Sequence, residues 1–307
     1  MYTHTFAIPT SLIPVIRWTV CSLLLTSGIT LAAERQTETE TDRFAAVTVV
    51  AQPVGGSVYM LTGAGGNIGV SVGEDGTLII DDQFAPLAER IQKVIDELGG
   101  DKPKLVLNTH FHGDHTGSNA FFGDSGTIIA HENVRIRLAD DTSVGRVALP
   151  IVTYTDRIRI HFNDDELDVI HMPAGHTDGD AVVWFKNANV IHMGDHFFNG
   201  SFPYIDIPSG GSVKGVITNL DRIIKMIPPD ISVIPGHGSL ATVANLSESL
   251  DMLRATQRLV NEALAAGKSV EDIITSGLGS RWDGWGTGFI NEERWIRILE
   301  ADSKAGS

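Results

Sequence analysis

A histidine-rich segment, residues 109–117, is the feature that most restricts the folds open to this chain. It reads Thr-His-Phe-His-Gly-Asp-His-Thr-Gly and places four potential metal ligands within six residues, namely His110, His112, Asp114 and His115. The segment before it, 104–108, is a compact apolar run that predicts a buried strand. The ligands therefore begin on a loop at the end of a buried strand, where catalytic residues commonly lie.

The spacing of these side chains predicts two metal ions. His110 and His112 are two residues apart, so on an extended backbone they point the same way and can bind one ion together. Gly113 permits a turn, after which Asp114 and His115 can reach a second ion. Zinc suits this mixture of imidazole and carboxylate, and such a set also accommodates Mn, Fe or Co.

Residues 1–33 predict a signal peptide. An uncharged apolar run, 18–31, follows Arg17 and precedes Ala32 and Ala33, as in leaders that are cleaved on export. A membrane anchor is the alternative, but the run is shorter than the roughly 20 residues that a spanning helix needs. The only cysteine, Cys21, lies within the run. We expect a periplasmic or secreted protein without a stable membrane anchor, with a flexible polar segment over 34–43 and one folded domain over 44–307.

The charge of the chain bears on its partners. The formal net charge is -15, and such a field repels polyanions, so no nucleic-acid partner is expected. The expected partner is a small-molecule substrate. No feature of the sequence predicts an oligomeric state.

Apolar periodicity predicts a mixture of strands and helices. Short β-type runs separated by glycine-rich turns predict an antiparallel meander over 45–50, 57–61, 68–72 and 77–80. A helix is predicted over 86–98. Further strands are predicted over 157–161, 167–171, 181–185, 190–192 and 231–234, and further helices over 213–226, 244–266 and 291–302. Sheets whose outer faces are covered by helices are the architecture that this order favours.

The histidine cluster resembles the H-x-H-x-D-H motif of the metallo-β-lactamase superfamily. Three later segments resemble further elements of that superfamily in the same order, Gly175-His176-Thr177, Met193-Gly194-Asp195 and Pro235-Gly236-His237-Gly238. The resemblance extends over about 47–238. It implies an α+β fold, a four-layer αββα sandwich with a dinuclear metal site at one edge of the two sheets.

The resemblance also implies which side chain binds which ion. The first ion would be held by His110, His112 and His176. The second would be held by Asp114, His115 and His237, with Asp195 bridging the two. In the implied mechanism a metal-bound hydroxide attacks an acyl carbon while one metal polarises the carbonyl oxygen. Asp114 is the candidate catalytic residue that transfers the proton.

Two positions bear on the substrate. Segments 175–185 and 190–195 resemble the β-lactamase branch that carries a cysteine at the second ligand strand. This chain has Asp195 there, and Phe198 where those enzymes use a lysine to bind the substrate carboxylate. Lys214 or another cation is a candidate replacement for that lysine. An aspartate bridge is usual in glyoxalase-type thioesterases and in lactonases, and export argues against a cytosolic glutathione thioester. We therefore predict a cyclic amide or ester, with β-lactams first and lactones second.

Two other functions stay open. One is a mononuclear iron dioxygenase, because persulfide dioxygenases of the superfamily use a similar scaffold with fewer ligands. The presence of Asp114, His115 and His237 favours two ions over that alternative. The other is a non-enzymatic metal-binding module, which would be preferred only if the bound metal had no open coordination position.

The residues around the cluster carry further expectations. Asp81 and Asp82 resemble the strand-end aspartate of the superfamily, and Asp82 is predicted to orient a ligand histidine, with helix capping near residue 86 as the alternative. His171 and His192 are predicted to be core residues, whereas His196 has no predicted role. Six aromatic side chains could form an apolar wall at the site, Phe197, Phe198, Phe202, Tyr204, Trp282 and Trp285.

Overall fold

The computed structural model describes residues 43–305. The chain divides into two units, Met1–Ala45 and Ala46–Ser307, and every strand and helix given below lies in the second. The predicted leader, 1–33, and the predicted polar segment, 34–43, lie outside the described residues apart from Arg43. Within the described range, no helix combines the length and the apolar character needed to cross a bilayer.

The first sheet has seven strands in chain order, β1 to β7. The strands are β1 (Val50–Gly55), β2 (Val58–Thr62), β3 (Ile68–Gly73), β4 (Gly76–Ile80), β5 (Leu105–Leu107), β6 (Thr127–His131) and β7 (Val152–Tyr154). Strands β1 to β4 form an antiparallel meander, of which β2 to β4 lie where the sequence predicts them. Strands β4 to β7 are parallel, so the carboxyl ends of β4, β5 and β6 lie at the same edge of the sheet.

The second sheet has five strands in the order β12-β11-β10-β9-β8. Its strands are β8 (Arg157–Phe162), β9 (Asp165–His171), β10 (Ala181–Phe185), β11 (Val190–His192) and β12 (Ser232–Ile234). Asn163 and Asp164 connect β8 to β9 with φ of 52° and 57°, the backbone that a two-residue hairpin turn requires and that Asn and Asp tolerate best. Strand β12 pairs in parallel with β11, which brings the chain after residue 234 to the end of β11.

Eight α-helices complete the described fold. They are α1 (Ala88–Glu97), α2 (Gly113–Thr116), α3 (Asn119–Phe122), α4 (Glu132–Asp140), α5 (Val213–Met226), α6 (Val243–Ala265), α7 (Val270–Ser276) and α8 (Glu292–Ala305). Helix α5 begins after Ser212, whose hydroxyl accepts a hydrogen bond from the Gly215 N–H, and α7 begins with a capping box between Ser269 and Asp272. These caps satisfy N–H groups that a helix leaves unpaired at its first turn.

Two apolar clusters hold the layers together. One lies between the sheets and joins side chains such as Met60 and Leu78 of the first to Val169 and Val183 of the second. The other packs the opposite face of the second sheet, including Val182, against helices α5, α6 and α8. A third cluster packs α4 against β6. The described chain is therefore the α+β sandwich of two sheets and flanking helices that the resemblance implied.

Most predicted elements lie within a few residues of the observed ones. The strand predicted over 45–50 is wrong, because the hairpin register pairs Val50 with Thr62 and Gly55 with Val58, which places β1 after that segment. Strands β6 and β7 and helices α2, α3, α4 and α7 were not predicted. The strand 181–185 and the helix 213–226 agree with β10 and α5 residue for residue.

Candidate metal centre

The loops at one edge of the two sheets bring all seven predicted ligands together. His110 and His112 follow β5, and Asp114 and His115 lie on α2. The second sheet supplies the rest from three loops: His176 lies between β9 and β10, Asp195 in a short 3-10 turn after β11, and His237 after β12.

The ligand atoms form two groups. In the first, one ligand atom each of His110, His112, His176 and Asp195 lies within 4.8 Å of the others, and the same limit holds for the second group, Asp114, His115 and His237. His176 Nε2 lies 2.8 Å from His112 Nδ1, and His115 Nε2 lies 3.4 Å from His237 Nε2. Imidazole nitrogens that converge in this way are suited to a shared cation.

The carboxylate of Asp195 lies between the two groups. Its Oδ2 is 3.5 Å from His176 Nε2 and 3.8 Å from His110 Nε2. Its Oδ1 is 3.1 Å from His115 Nε2 and 3.4 Å from His237 Nε2. Each oxygen therefore faces a different group, which is the arrangement that a bridging ligand needs.

The hydrogen bonds of the histidines leave one nitrogen of each ring for the centre. In four of them the second ring nitrogen has a hydrogen-bond partner outside the centre. His110 contacts Thr109 Oγ1 and His112 contacts Asp206 Oδ2. His115 contacts Asp81 Oδ2 and His176 contacts the Tyr204 carbonyl. Among the described residues, the buried atoms His110 Nε2 and Asp195 Oδ1 have no hydrogen-bond partner. Since a buried polar atom without a partner is costly, these two atoms fit a cation at the centre of the cluster.

Asp81, not Asp82, orients a ligand histidine. Asp81 Oδ2 accepts a hydrogen bond from His115 Nδ1 at 2.7 Å and another from the Thr109 hydroxyl, and Oδ1 accepts from the Thr109 N–H. Asp82 instead accepts from the Ser118 N–H, so its prediction as the orienting residue is wrong. Adjacent residues of the turn point to opposite sides, and the sequence could not decide which one faces the histidine.

Asp206 is a second orienting carboxylate, and sequence reasoning missed it. Its Oδ2 lies 3.1 Å from His112 Nε2 and its Oδ1 accepts from the Ser209 N–H. This contact directs the opposite nitrogen of His112, Nδ1, toward His176. Nothing near Asp206 in the sequence resembles a motif, and the Pro208-containing turn that it caps was the only available signal.

Asn67 and two glycines shape the backbone around His115, Asp195 and the loop of His237. The Asn67 amide donates to the carbonyls of Pro235 and Gly238 at 2.9 Å each, and so holds the loop that carries His237. A Cβ on Gly66 would overlap the ring of His115, and a Cβ on Gly236 would overlap Asp195 Oδ1. Only glycine therefore allows the backbone to approach these ligands.

His196 supports the loop of His176 and belongs to neither ligand group. Its Nδ1 lies 3.3 Å from Asp180 Oδ2, and its Nε2 lies 3.0 Å from the Asn219 amide. Asp180 in turn accepts hydrogen bonds from the backbone N–H and the hydroxyl of Thr177. Burial lowers the pKa of His196 to about 3 and raises the pKa of Asp180 to about 8.

The electrostatics of the two groups differ. Burial lowers the pKa of His110 well below its usual value and that of His176 to about 4, which favours neutral imidazoles. Burial alone would lower the pKa of His115 and His237 as well. The neighbouring carboxylates together outweigh it, so that Asp195 and Asp81 raise the pKa of His115 well above the usual value, and Asp195 and Asp114 raise that of His237 to about 9. Protons on these two rings offset the Asp195 charge, a role that a cation would take over.

The aromatic residues divide between core and site. Phe197, Phe202, Trp282 and Trp285 belong to the apolar core, so the predicted wall is wrong for these four. Phe198 stacks on His237 with ring centroids 4.9 Å apart, and the Tyr204 ring lies 5.9 Å from that of His112.

Lys214, the candidate cation, lies in the first turn of α5 and is exposed. Arg137 lies with its guanidinium 5.2 Å from the ring of Phe111, next to His112, and forms a two-pronged ion pair with Asp178.

Comparison with known proteins identifies the family of the chain and two of its relatives. Residues 61–237 match the model of the family described as "Metallo-beta-lactamase superfamily". The chain is 25% identical over 228 residues to 2,4-dinitroanisole O-demethylase subunit alpha of Nocardioides sp. (strain JS1661), covering 73% of this chain and 68% of the relative. It is 30% identical over 176 residues to the probable metallo-hydrolase YqgX of Bacillus subtilis (strain 168), covering 52% and 82% respectively.

Solved structures agree in fold. The metallo-beta-lactamase from Pontibacter korlensis superposes with a TM-score of 0.59 at 20% sequence identity, covering 67% of this chain and 99% of that one. At this identity the likeness concerns the fold. Helices α7 and α8 and the segment between them lie outside the 61–237 match.

Proposed function

The chain belongs to the metallo-β-lactamase superfamily and is a metal-dependent hydrolase, and from this premise we propose that it uses two cations to hydrolyse a small cyclic amide or ester. Zinc is the metal proposed for both positions, because imidazole and carboxylate ligands without thiolate suit it. The observation that carries the proposal is the position of Asp195, with one carboxylate oxygen facing each ligand group.

The residues present fit two ions better than one. Seven ligand side chains exceed the four positions of a tetrahedral ion, and they separate into two groups, with one carboxylate oxygen of Asp195 facing each group. His110, His112 and His176 would hold the first ion, and Asp114, His115 and His237 the second. A mononuclear iron site would leave the second group without a role.

The chain's own side chains provide the proton transfer. When bound, the cations would make water available as a nucleophile near neutral pH and stabilise negative charge on the carbonyl oxygen. Asp114 Oδ2 lies 3.4 Å from His237 Nε2, and 26% of the Asp114 side chain is exposed, against 5% for Asp195. Burial acts against ionisation of Asp114, but the hydrogen bond from His237 and the charges of His115 and His237 together keep its pKa below the usual value. Asp114 is therefore placed to accept the proton of the attacking water and pass it to the leaving group.

Two substrate classes follow from the site. β-Lactams are the first, on the resemblance of segments 175–185 and 190–195 to that branch. Lactones, and esters or thioesters more generally, are the second, because an oxygen ligand stands at Asp195 and Phe198 replaces the lysine that would bind a β-lactam carboxylate. The O-demethylase relative acts, by its name, on 2,4-dinitroanisole, and this supports the inclusion of aromatic substrates among the candidates.

Export is part of the proposal. The leader-like segment 1–33 supports removal of that segment and a periplasmic or secreted mature protein. N-terminal sequencing of the protein recovered from a periplasmic extract tests this, and an intact N-terminus in the cytosolic fraction would contradict it.

Metal analysis and a substrate panel test the function. We expect close to two equivalents of zinc per chain by elemental analysis, and hydrolysis of either a chromogenic cephalosporin or a γ-lactone that chelation abolishes and zinc restores. One iron per chain with no zinc uptake would point to the dioxygenase alternative. Two bound metals with no turnover of β-lactam, lactone, ester or thioester would contradict the hydrolase proposal.

A further inference from the structure

We propose that Tyr204 and Phe289 form a subsite for an aryl group of the substrate, next to the first ligand group. The inference rests on the proposed function, since it assigns a specificity-determining surface to the same centre. It concerns a residue, Phe289, that lies outside the segment matched by the family model.

Tyr204 forms the inner half of the subsite. Its ring centroid lies 5.7 Å from that of His176 and 5.9 Å from that of His112, so it borders two ligands of the first group. Its carbonyl oxygen accepts the hydrogen bond from His176 Nδ1 at 2.7 Å. The backbone of Tyr204 is thereby fixed to the centre, and a group that contacts its ring would lie beside the first ligand group.

Phe289 forms the outer half. Its ring stands nearly perpendicular to that of Tyr204, with an interplanar angle of 86° and centroids 6.3 Å apart. The residue is 76% exposed, the highest value among the large hydrophobic side chains that the structure describes as exposed. Two perpendicular rings make a corner that a third ring can enter with both stacked and edge-on contacts. Exposed apolar surface beside a polar centre is typical of a ligand-binding groove.

The segment that carries Phe289 is anchored on both sides. Ile290 forms an antiparallel bridge with Phe202, and the Phe202 N–H donates to the Trp285 carbonyl at 2.9 Å. Ile290 and Trp285 are buried in the core. Arg294 then supports Phe289 from α8, because its guanidinium lies 5.5 Å from the ring centroid and donates to the Phe289 carbonyl at 2.9 Å. The backbone that carries the exposed ring is held in place before any ligand arrives, which lowers the entropy lost on binding.

Paired substrates test the subsite. Benzylpenicillin and 6-aminopenicillanic acid share a β-lactam and differ by a phenylacetyl group, and γ-phenyl-γ-butyrolactone and γ-butyrolactone form the matching lactone pair. For the full zinc-loaded protein we expect Phe289→Ala to lower kcat/KM for the phenyl-bearing member about 5- to 30-fold, mainly through KM, as expected for the loss of apolar contact worth one to two kcal/mol. The unsubstituted member should change less than about twofold. Phe289→Trp should retain the preference.

A matched control and a binding measurement separate the outcomes. Phe121→Ala removes another exposed phenylalanine, which contacts Phe122 on α3, and should leave both substrates unaffected. If the parent protein hydrolyses no substrate, the proposed function fails. The subsite then stands if phenylacetate, but not acetate, binds the zinc-loaded protein in a calorimeter and Phe289→Ala abolishes that binding.

Two results would overturn the subsite. The first is an unchanged ratio of kcat/KM within each substrate pair in Phe289→Ala, with phenylacetate binding equally well. The second is a shift of Phe289→Ala from dimer to monomer in light scattering with unaltered selectivity, which would make Phe289 a contact between copies of the chain.

Discussion

Asp81 Oδ2 lies 2.7 Å from His115 Nδ1, although Asp81 occupies a left-handed backbone conformation with φ of 63°. Non-glycine residues adopt this conformation at a cost, and they are concentrated at functional sites. Here the conformation turns the carboxylate back under the histidine cluster, where it also accepts two hydrogen bonds from Thr109. The end of β4 is thus shaped to hold a ligand of the second group.

Asp81→Asn should weaken metal binding at the second group. The amide would offer an N–H where His115 Nδ1 now donates, or lose a hydrogen bond from Thr109, and loss of such an orienting partner costs about 10- to 100-fold in metal affinity. Competition of the zinc-loaded protein with a chelator measures this. Asp82→Asn is the matched control, because burial raises the pKa of Asp82 well above its usual value and Asn resembles the neutral acid. Equal metal affinities in the two variants would contradict the assignment of Asp81.

Asp206→Ala should weaken the first group instead. The variant removes the acceptor for His112 Nε2, so that ring loses its orientation toward His176. We expect about tenfold weaker binding of one metal equivalent, with the other unchanged, in a cobalt titration followed by absorbance. Asp206→Asn keeps an acceptor oxygen and should recover most of the affinity. An Asn variant as weak as the Ala variant would show that the charge of Asp206, not its hydrogen bond, matters.

Asp195 should be needed by both ions. Asp195→Ala removes a ligand from each group and one buried negative charge, so we expect loss of at least one metal equivalent and a fall in activity of at least about 100-fold. Asp195→Cys restores a zinc ligand and should keep two ions with part of the hydrolysis. Elemental analysis and initial rates with the preferred substrate measure both. If Asp195→Ala binds two metals and hydrolyses substrate like the parent, Asp195 is only a turn residue.

A test of stability away from the centre concerns Asp168. This buried carboxylate on β9 pairs with Arg157, Arg159 and Lys186. Burial opposes its ionisation, but hydrogen bonds from Lys186 and the two arginines keep its pKa below the usual value. A carboxylate with a lowered pKa in the folded state stabilises the fold above its unfolded pKa of about 3.9 and loses that contribution as the pH falls through the folded value.

Asp168→Asn should therefore lower the free energy of unfolding by about 1 to 2 kcal/mol at pH 7, and the difference from the parent should shrink below about pH 4. Urea unfolding at several pH values measures it. The control is Glu97→Gln, which breaks a pair with Lys93 whose side chains are 64% and 77% exposed, and which should change stability by less than about 0.5 kcal/mol. A difference that persists unchanged at low pH would exclude the ion pairs as its cause.

The seven candidate ligands could be named from the sequence, and the structure brings them together, whereas most of the residues that orient them could not be named. Ligands such as His110 and His112 occur at fixed spacing directly after a strand, so a local pattern identifies them. Asp206 and Asn67 act on residues 94 and 168 positions away, and only the folded chain shows these contacts. The choice between Asp81 and Asp82 depended on one backbone angle, which the neighbouring residues did not predict.

The same distinction holds for the fold. Helix α5 has strong apolar periodicity and strand β10 is a continuous apolar run, and both were predicted residue for residue. Strand β7 has only three residues, two of them exposed, and takes its conformation from pairing with β6. Residue type alone does not predict whether an aromatic side chain faces the core or the site. Phe197 and Phe198 are adjacent, yet Phe197 packs in the core and Phe198 stacks on His237.

Each ligand group draws on both sheets, since His110, His112, Asp114 and His115 follow strands of the first sheet and His176, Asp195 and His237 follow strands of the second. A chain in which either sheet formed alone would hold at most an incomplete set. Metal retention would accordingly report correct folding, because only a molecule whose two sheets have packed in the native register can retain the ions and become active.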